Sequence, residues 1–406
     1  MDWAAVEAVR EAPLGDPAFD DEPGHGVVRK LRGVRYSVSD TIDVEGQWTR
    51  SGTPGLGHRL PVEDASVVAR LRRAGAVLTG RTRVGELAWG VTTPGCAHPL
   101  DPRRDAGGAS GGAAVSVADG SVRLALGTDT AGSLRIPAAL CGVAGLRPTA
   151  GTVSRRGVTP LAPSLDTVGP LARTAAECLA AYRVLGGIVT PAPETVDGLR
   201  VGWPGHLWEH HVSPAVAAVL AHTAAGLRAA GVDLVTIALP LARSHAQAAA
   251  SVIMPAEAAA LWSGPLAGQP DGLTAPMAAL IREGALVSTT DYLRALRIAA
   301  AVRRELEEVL SRQGLSAVLV PTVPVTATWT DATTVSVNGH TEPVESAYAR
   351  LTALASVTGH PALSVPAGTD DDGLPVGAQL IGPPHGEAAL CLLGSAIERP
   401  LRRPST

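Results

Sequence analysis

Residues 127–137 read Gly127-Thr128-Asp129-Thr130-Ala131-Gly132-Ser133-Leu134-Arg135-Ile136-Pro137, directly after the apolar run Leu124–Leu126. A buried strand that hands over to small residues and then to a serine lets successive backbone N–H groups converge on one point, which is how an oxyanion hole is built. A helix starting near Ser133 would add a favourable dipole. A second glycine-rich stretch lies just upstream, Gly107-Gly108-Ala109-Ser110-Gly111-Gly112. Residues 100–165 as a whole are dense in Gly, Ser, Thr and Ala, yet they hold strand-like apolar pieces. They read as core in which glycine permits close backbone approach, not as linker.

On either side of these stretches, helical and strand signals alternate, which favours an α/β layered architecture; the family resemblance set out below implies that its core is a large mixed sheet flanked by helices. Residues 64–75 read as a helix capped by Asp64 and ended by Gly75, followed by a strand over Ala76–Thr79. Thr174-Ala-Ala-Glu177 is a capping box opening a helix, and Ser213-Pro214 opens another that ends at Gly231. Leu315–Val320 reads as a central strand closed by Pro321. Residues 362–366 and 376–381 read as a strand pair joined by the turn Asp370–Gly373, and a last helix covers about 387–399. The length allows one large domain or two ordinary ones; with the family resemblance set out below, the expected organisation is an extension over 1–24, one domain over 25–400 and a tail over 401–406. Within the domain, a glycine-rich core spans about 76–185 and an Ala-rich helical region about 190–310.

The composition excludes several classes. With 406 residues, 46% hydrophobic and 18% charged, the chain can bury a sizeable core and is not disordered. A net charge of −4 leaves no footprint for nucleic acid. No apolar run reaches a membrane span, and the acidic stretch up to Glu22, broken by Pro13 and Gly15, lacks the pattern of a secretory leader. Four scattered cysteines, Cys96, Cys141, Cys178 and Cys391, make no Cys-x-x-Cys, so neither zinc nor disulfides are indicated and a reducing cytoplasm is expected. Lys30 is the sole lysine, which rules out a P-loop and a Ser-x-x-Lys pair.

Beyond the first stretch, Cys141-Gly-Val-Ala-Gly-Leu-Arg-Pro-Thr149, Val153–Gly157 and Ser164-Leu-Asp-Thr-Val-Gly-Pro170 continue one long pattern. Gly33–Asp43, Thr82–Gly90, Thr358-Gly-His-Pro361 and Gly373–Gly382 extend it in both directions. The chain resembles the amidase signature family, the Ser–Ser–Lys amidohydrolases, over roughly residues 25–185 and 315–400. The resemblance implies one mixed-sheet domain in which a serine attacks an amide carbonyl. A lysine moves the proton through a second serine held by a cis peptide, and backbone amides hold the oxyanion. Carried over by position, Ser133 is the nucleophile, and Thr130, Ala131, Gly132 and Ser133 supply the oxyanion-hole amides, Ala131 standing where the family has glycine. The bridging serine falls on Ala109, with Ser110 beside it. The lysine position holds Ser39. Gly108, Ala109, Thr128 and Asp129 are then expected to border the substrate.

Two of the three triad side chains are thus missing. Ala109 relays no proton and Ser39 is no base at neutral pH. Lys30, nine residues before Ser39, would sit roughly 30 Å away along an extended strand. Arg35 stays protonated. Three readings stay open: acyl transfer or hydrolysis at Ser133 with another base; a repurposed pocket that runs a cyclisation, elimination or condensation on a small carbonyl compound; and a non-catalytic binding protein. His98 is the first candidate base, with His360 and His58 behind it, each weighed against a plain hydrogen-bonding role. Asp129 reads either as electrostatic tuning or, more simply, as an acceptor that holds the turn. Arg135, Asp166, Arg155 and Arg156 read as loop braces. Gly108–Gly112 also fits a G-x-S-x-G elbow centred on Ser110, but no apolar strand precedes it. His206, His210 and His211 beside Trp203 and Trp208 read as a rim rather than a metal site, with Trp208 as an apolar wall of the entrance. No cofactor and no metal are expected. The expected partner is a small-molecule substrate, with a homodimer as the oligomeric option.

Overall fold

The computed structural model describes residues 31–188, 191 and 193–402. The 1–24 extension and Lys30 therefore lie outside the described residues, as does all but the start of the 401–406 tail. Among the described residues twelve strands are formed: β1 Arg35–Ser39, β2 Val77–Thr82, β3 Leu124–Asp129, β4 Ala144–Arg147, β5 Thr167–Ala172, β6 Arg200–Trp203, β7 Asp233–Thr236, β8 Ala317–Pro321, β9 Thr334–Val337, β10 His340–Pro343, β11 Ala362–Thr369 and β12 Pro375–Ile381. Ten of them make one sheet in the order β2-β1-β3-β5-β4-β11-β12-β8-β6-β7, with β9 and β10 a separate hairpin. β1 is parallel to β2 and β3, and β6 to β7 and β8, while the middle of the sheet is antiparallel. This is the large mixed sheet that the family resemblance implies. β3, β4, β5, β8 and β12 are buried along their whole length, which is why they read as continuous apolar or small-residue runs instead of alternating ones.

Helices α1 Ser66–Arg73, α2 Gly111–Ala118, α3 Arg135–Cys141, α4 Ala175–Val184, α5 Pro214–Ala229, α6 Pro240–Gly268, α7 Ala275–Gly284, α8 Thr289–Arg312, α9 Val344–Arg350, α10 Ala353–Thr358 and α11 Glu387–Glu398 cover the sheet. The caps act largely as the sequence indicates. Thr174 Oγ1 accepts the Glu177 N–H at the start of α4, and Ser213 Oγ accepts the Val216 N–H at the start of α5. Asp64 is a correction: α1 begins after Ala65 without a side-chain cap, and Asp64 instead accepts the Glu45 N–H and pairs with Arg72. The strand expected at Ala76–Thr79 runs on to Thr82, and this extension carries the chain to the site.

The Ala-rich helical region is anchored to the glycine-rich core. Leu87 and Leu161 of the core share an apolar cluster with Trp262 and Leu266 of α6 and Met277 and Ile281 of α7. Polar latches reinforce it. Glu257 on α6 accepts the Ser164 N–H at 2.8 Å, Trp262 Nε1 donates to the Pro160 carbonyl at 3.1 Å, and Glu86 accepts the Thr274 N–H at 2.8 Å. Among the described residues, no helix is long and apolar enough to cross a membrane.

Candidate active site

Strand β3 ends at Asp129 and α3 begins at Arg135, so Ser133 sits on the turn between them. Asp129 organises that turn from below. Its carboxylate accepts the Gly132 N–H at 3.0 Å and the Leu134 N–H at 3.3 Å. It also pairs with Arg135 at 2.8 Å and Arg147 at 3.0 Å, all three side chains having no exposure. Burial alone would raise the Asp129 carboxyl, but the two guanidinium groups outweigh it and hold it far below the usual carboxylate range. Arg135 reaches on to the Thr352 carbonyl, Gln379 Oε1 and Ser356 Oγ, tying the turn to α10 and β12. Asp129 is thus bonded into the protein and presents nothing to a substrate, which corrects its expected substrate-bordering place in favour of its reading as an acceptor.

From above, Thr352 Oγ1 donates to the Ala131 carbonyl at 2.6 Å. The turn fits tightly there: a Cβ on Gly132 (φ +117°) would stand 2.5 Å from that hydroxyl. Ala131, by contrast, is absent from the positions with positive φ, so its backbone does not need the left-handed conformation that favours glycine. Of the four amides expected around the oxyanion, Gly132 spends its N–H on Asp129. Among the described residues, the N–H groups of Thr130, Ala131 and Ser133 make no hydrogen bond. Nothing in the sequence singles out Thr352 as a partner of the turn, because it lies on a segment 221 residues away from Ala131.

The Gly107–Gly112 loop packs directly on the turn. The Ser110 N–H donates to the Ser133 carbonyl at 3.3 Å, and Ser110 Oγ donates to the Thr128 carbonyl at 3.3 Å. Gly108 (φ +59°) has no room for a side chain, since a Cβ would meet Pro137 Cδ at 2.3 Å. Ser110 precedes α2 and follows a loop, not a strand, so it does not stand on a nucleophile elbow. The Ala109 methyl belongs to a small apolar cluster with Val84 and Ala88. The described residues contain no cis peptide bond. Ser39 closes β1, one step past the Val38–Leu126 pair and so level with Gly127, against which Ser110 Oγ packs. Ser39 is fully buried, and its hydroxyl accepts from Thr41 Oγ1 at 3.4 Å. Asp40, the next residue, pairs with Arg81 at 3.0 Å. The structure thus gathers Ser133, Ser110, Ala109 and Ser39 at one end of the parallel strands.

His98 does not join them as a base. Its Nε2 donates to the Leu140 carbonyl at 2.8 Å and its Nδ1 accepts the Leu100 N–H at 3.2 Å. Both ring nitrogens are spent on backbone, and burial lowers the imidazole's affinity for a proton. His58 Nε2 is bonded to the Thr53 carbonyl. His360 is fully buried and burial pulls its pKa down to about 4. His206 Nε2 accepts the Leu239 N–H. Trp208 is a further correction. It is 2% exposed and packs edge-on against Trp203 with ring centroids 5.0 Å apart, so it belongs to the core rather than to an entrance wall.

A cavity of about 310 Å³ opens beside the turn, at the small end of ligand pockets. Ala88, Thr128, Thr130, Arg155, Thr159 and Asp166 line it with residues of the 158–168 segment. Thr128 Oγ1 is buried without a hydrogen-bond partner. Asp166 accepts from Thr130 Oγ1 at 2.7 Å and from the N–H groups of Leu161 and Ala162. Leu87 (φ +52°) and Ala88 (φ +60°) hold the left-handed conformation consecutively, an arrangement that non-glycine residues adopt only where the surroundings impose it.

Known proteins share this architecture. The amidase family profile matches residues 7–391. An amidase of Pseudomonas putida is 34% identical over 394 residues, covering 91% of this chain and 82% of that protein. One component of the glutamyl-tRNA(Gln) amidotransferase of Roseiflexus castenholzii is 32% identical, covering 94% of this chain and 85% of that protein. A crystal structure of an amidase superposes with a TM-score of 0.85 at 31% identity, covering 92% of this chain and 85% of that one. Sequence and fold agree over nearly the whole length, and the chain belongs to the amidase family.

Proposed function

We propose that the protein catalyses acyl transfer or hydrolysis at Ser133 on small, activated acyl compounds such as esters, and turns over ordinary amides poorly. The observation that carries this reading is that, among the described residues, the N–H groups of Thr130, Ala131 and Ser133 make no hydrogen bond, on a turn whose Thr130 also lines the cavity. In the proposed step, Ser133 Oγ forms a bond to the acyl carbon and its proton goes to solvent. The carbonyl oxygen takes up the negative charge facing the three amides, and the bond to the leaving group breaks. Water then cleaves the acyl–Ser133 ester and regenerates the hydroxyl. A phenolate leaves without a proton, whereas an amine must receive one. Ser39, Ala109 and the engaged His98 offer no donor for that transfer. Losing a general base costs on the order of 10²–10⁴ in rate, and triad members act as a unit, so the second loss adds little.

The packing of Ala109 among Val84 and Ala88 favours a second reading. Here the amides stabilise an enolate or tetrahedral species without covalent involvement of Ser133. The experiment that separates the two is exposure to a fluorophosphonate and to a p-nitrophenyl ester, followed by intact mass measurement. A single adduct that disappears in Ser133→Ala supports acyl transfer. A folded protein that takes no adduct refutes it and favours a non-covalent pocket or a binding role. The four free thiols fit a reducing compartment, and a cytoplasmic setting belongs to the proposal.

A further inference from the structure

The cavity has two charged walls, and they differ in how far their charge is already used. Asp166 is engaged on both oxygens, by Thr130 Oγ1 and by the Leu161 and Ala162 N–H groups. Arg155 is exposed, and its guanidinium acts electrostatically on Asp166 without closing an ion pair among the described residues. A single tether fixes it, from Nη1 to the Pro163 carbonyl at 2.6 Å. Among the described residues the rest of its donor fork makes no further hydrogen bond, and Arg155 lines the same cavity as Thr128 and Thr130. Thr128 Oγ1 is a second, independent mark of a ligand: a hydroxyl in a residue 4% exposed, lining the cavity and bonded to nothing. Leaving such a group unpaired is unfavourable, and an oxygen-bearing ligand relieves it.

We infer that Arg155 is a specificity-determining residue that anchors the carboxylate of a short acyl compound, whose carbonyl end lies at the Thr128–Ser133 turn. This rests on the reading of Ser133 as the acyl site. A guanidinium fork matches a planar carboxylate in two parallel hydrogen bonds. The neighbouring Asp166 sets the charge of the ligand, because a dianion would be repelled by the second acid. A volume of about 310 Å³ takes on the order of ten non-hydrogen atoms, at roughly 30 Å³ for each water-sized group. The class is therefore a compact monocarboxylate with an ester or amide a few bonds away.

Succinamate, which carries an amide and a carboxylate on a two-carbon spacer, is the probe, and succinamide and methyl succinamate are its neutral counterparts. Binding is read by calorimetry and thermal shift on the full chain carrying Ser133→Ala. Succinamate is expected to bind at least about tenfold more tightly than either neutral compound, the size of one charge-assisted hydrogen bond. High salt should reduce that margin. Arg155→Gln should abolish the preference and Arg155→Lys should retain part of it. Arg156→Gln, which changes an exposed arginine paired with Glu63, should leave it unchanged. Equal binding of charged and neutral compounds, binding of neither, or an undiminished preference in folded Arg155→Gln overturns the inference. The fluorophosphonate has no carboxylate, so it separates the two ideas. A labelled Ser133 with no carboxylate preference sinks the anchor alone. A carboxylate preference with an unlabelled Ser133 sinks acyl transfer alone.

Discussion

Replacing Asp129 by asparagine removes the one negative charge between two guanidinium groups that have no access to solvent. Neutral acceptors remain for Arg135 on Thr352, Gln379 and Ser356, and for Arg147 on the Leu165 carbonyl. They soften the loss without replacing the charge. The asparagine amide also turns a donor toward groups that are themselves donors, the Gly132 N–H on one oxygen's side or the Leu134 N–H on the other's. Breaking a buried pair by removing one partner costs about 3–5 kcal/mol, a large share of the roughly 5–15 kcal/mol that holds a protein folded. At a urea slope of about 3 kcal/mol per molar, the unfolding midpoint should fall by about 1–2 M. Equilibrium urea unfolding followed by tryptophan fluorescence reads it directly. Glu63→Gln is the reference, since it breaks the Arg156–Glu63 pair, whose side chains are each 64% exposed, and should shift stability by no more than about 1 kcal/mol. If Asp129→Asn falls within that same 1 kcal/mol, the buried ion triad does not hold the turn, and the reasoning built on it fails.

Other outcomes follow from the same geometry. Gly132→Ala must push a methyl into Thr352 Oγ1, so it should lose about 1–3 kcal/mol and suppress fluorophosphonate labelling of Ser133; full labelling with unchanged stability would show that the turn yields. Ser39→Lys combined with Ala109→Ser should create measurable benzamide hydrolysis, whereas a well-folded but inert double variant would mean that the pocket has diverged beyond those two positions. His360 has a folded pKa of about 4 against an ordinary value of 6.5. The unfolded chain therefore binds more protons between those values, and stability should fall as pH drops from 6.5 to 4, by up to about 3 kcal/mol. Asp105, raised to about 6 by burial, acts in the opposite sense, its stabilisation being present below its unfolded value of 3.8 and lost as pH rises through 6. Comparing the pH slope of His360→Asn with that of the parent isolates the histidine, and identical slopes would refute its assignment.

The residue order alone was enough for the sheet-and-helix architecture and for the residues of the turn. The reason is that buried strands, caps and glycines each leave a local mark: the run at Leu124–Leu126, Thr174 and Ser213 at helix starts, Gly132 where no side chain fits. The expectation of a missing relay comes from the same order, since Ser39 and Ala109 fall inside a long pattern. Folding settled what each polar side chain spends its bonds on. His98 stands near the motif in sequence, yet the Leu140 carbonyl, brought in by folding, accepts a hydrogen bond from its ring. Trp208 sits among histidines, which suggests a rim, yet Trp203 and the core enclose it. Thr352 and Arg155 reveal no role in isolation. Thr352 meets Ala131 across 221 residues, and Arg155 acquires its meaning from a cavity assembled by separate segments. Hydrogen-bond saturation and cavity shape are properties of distant segments brought together, and a one-dimensional pattern carries neither.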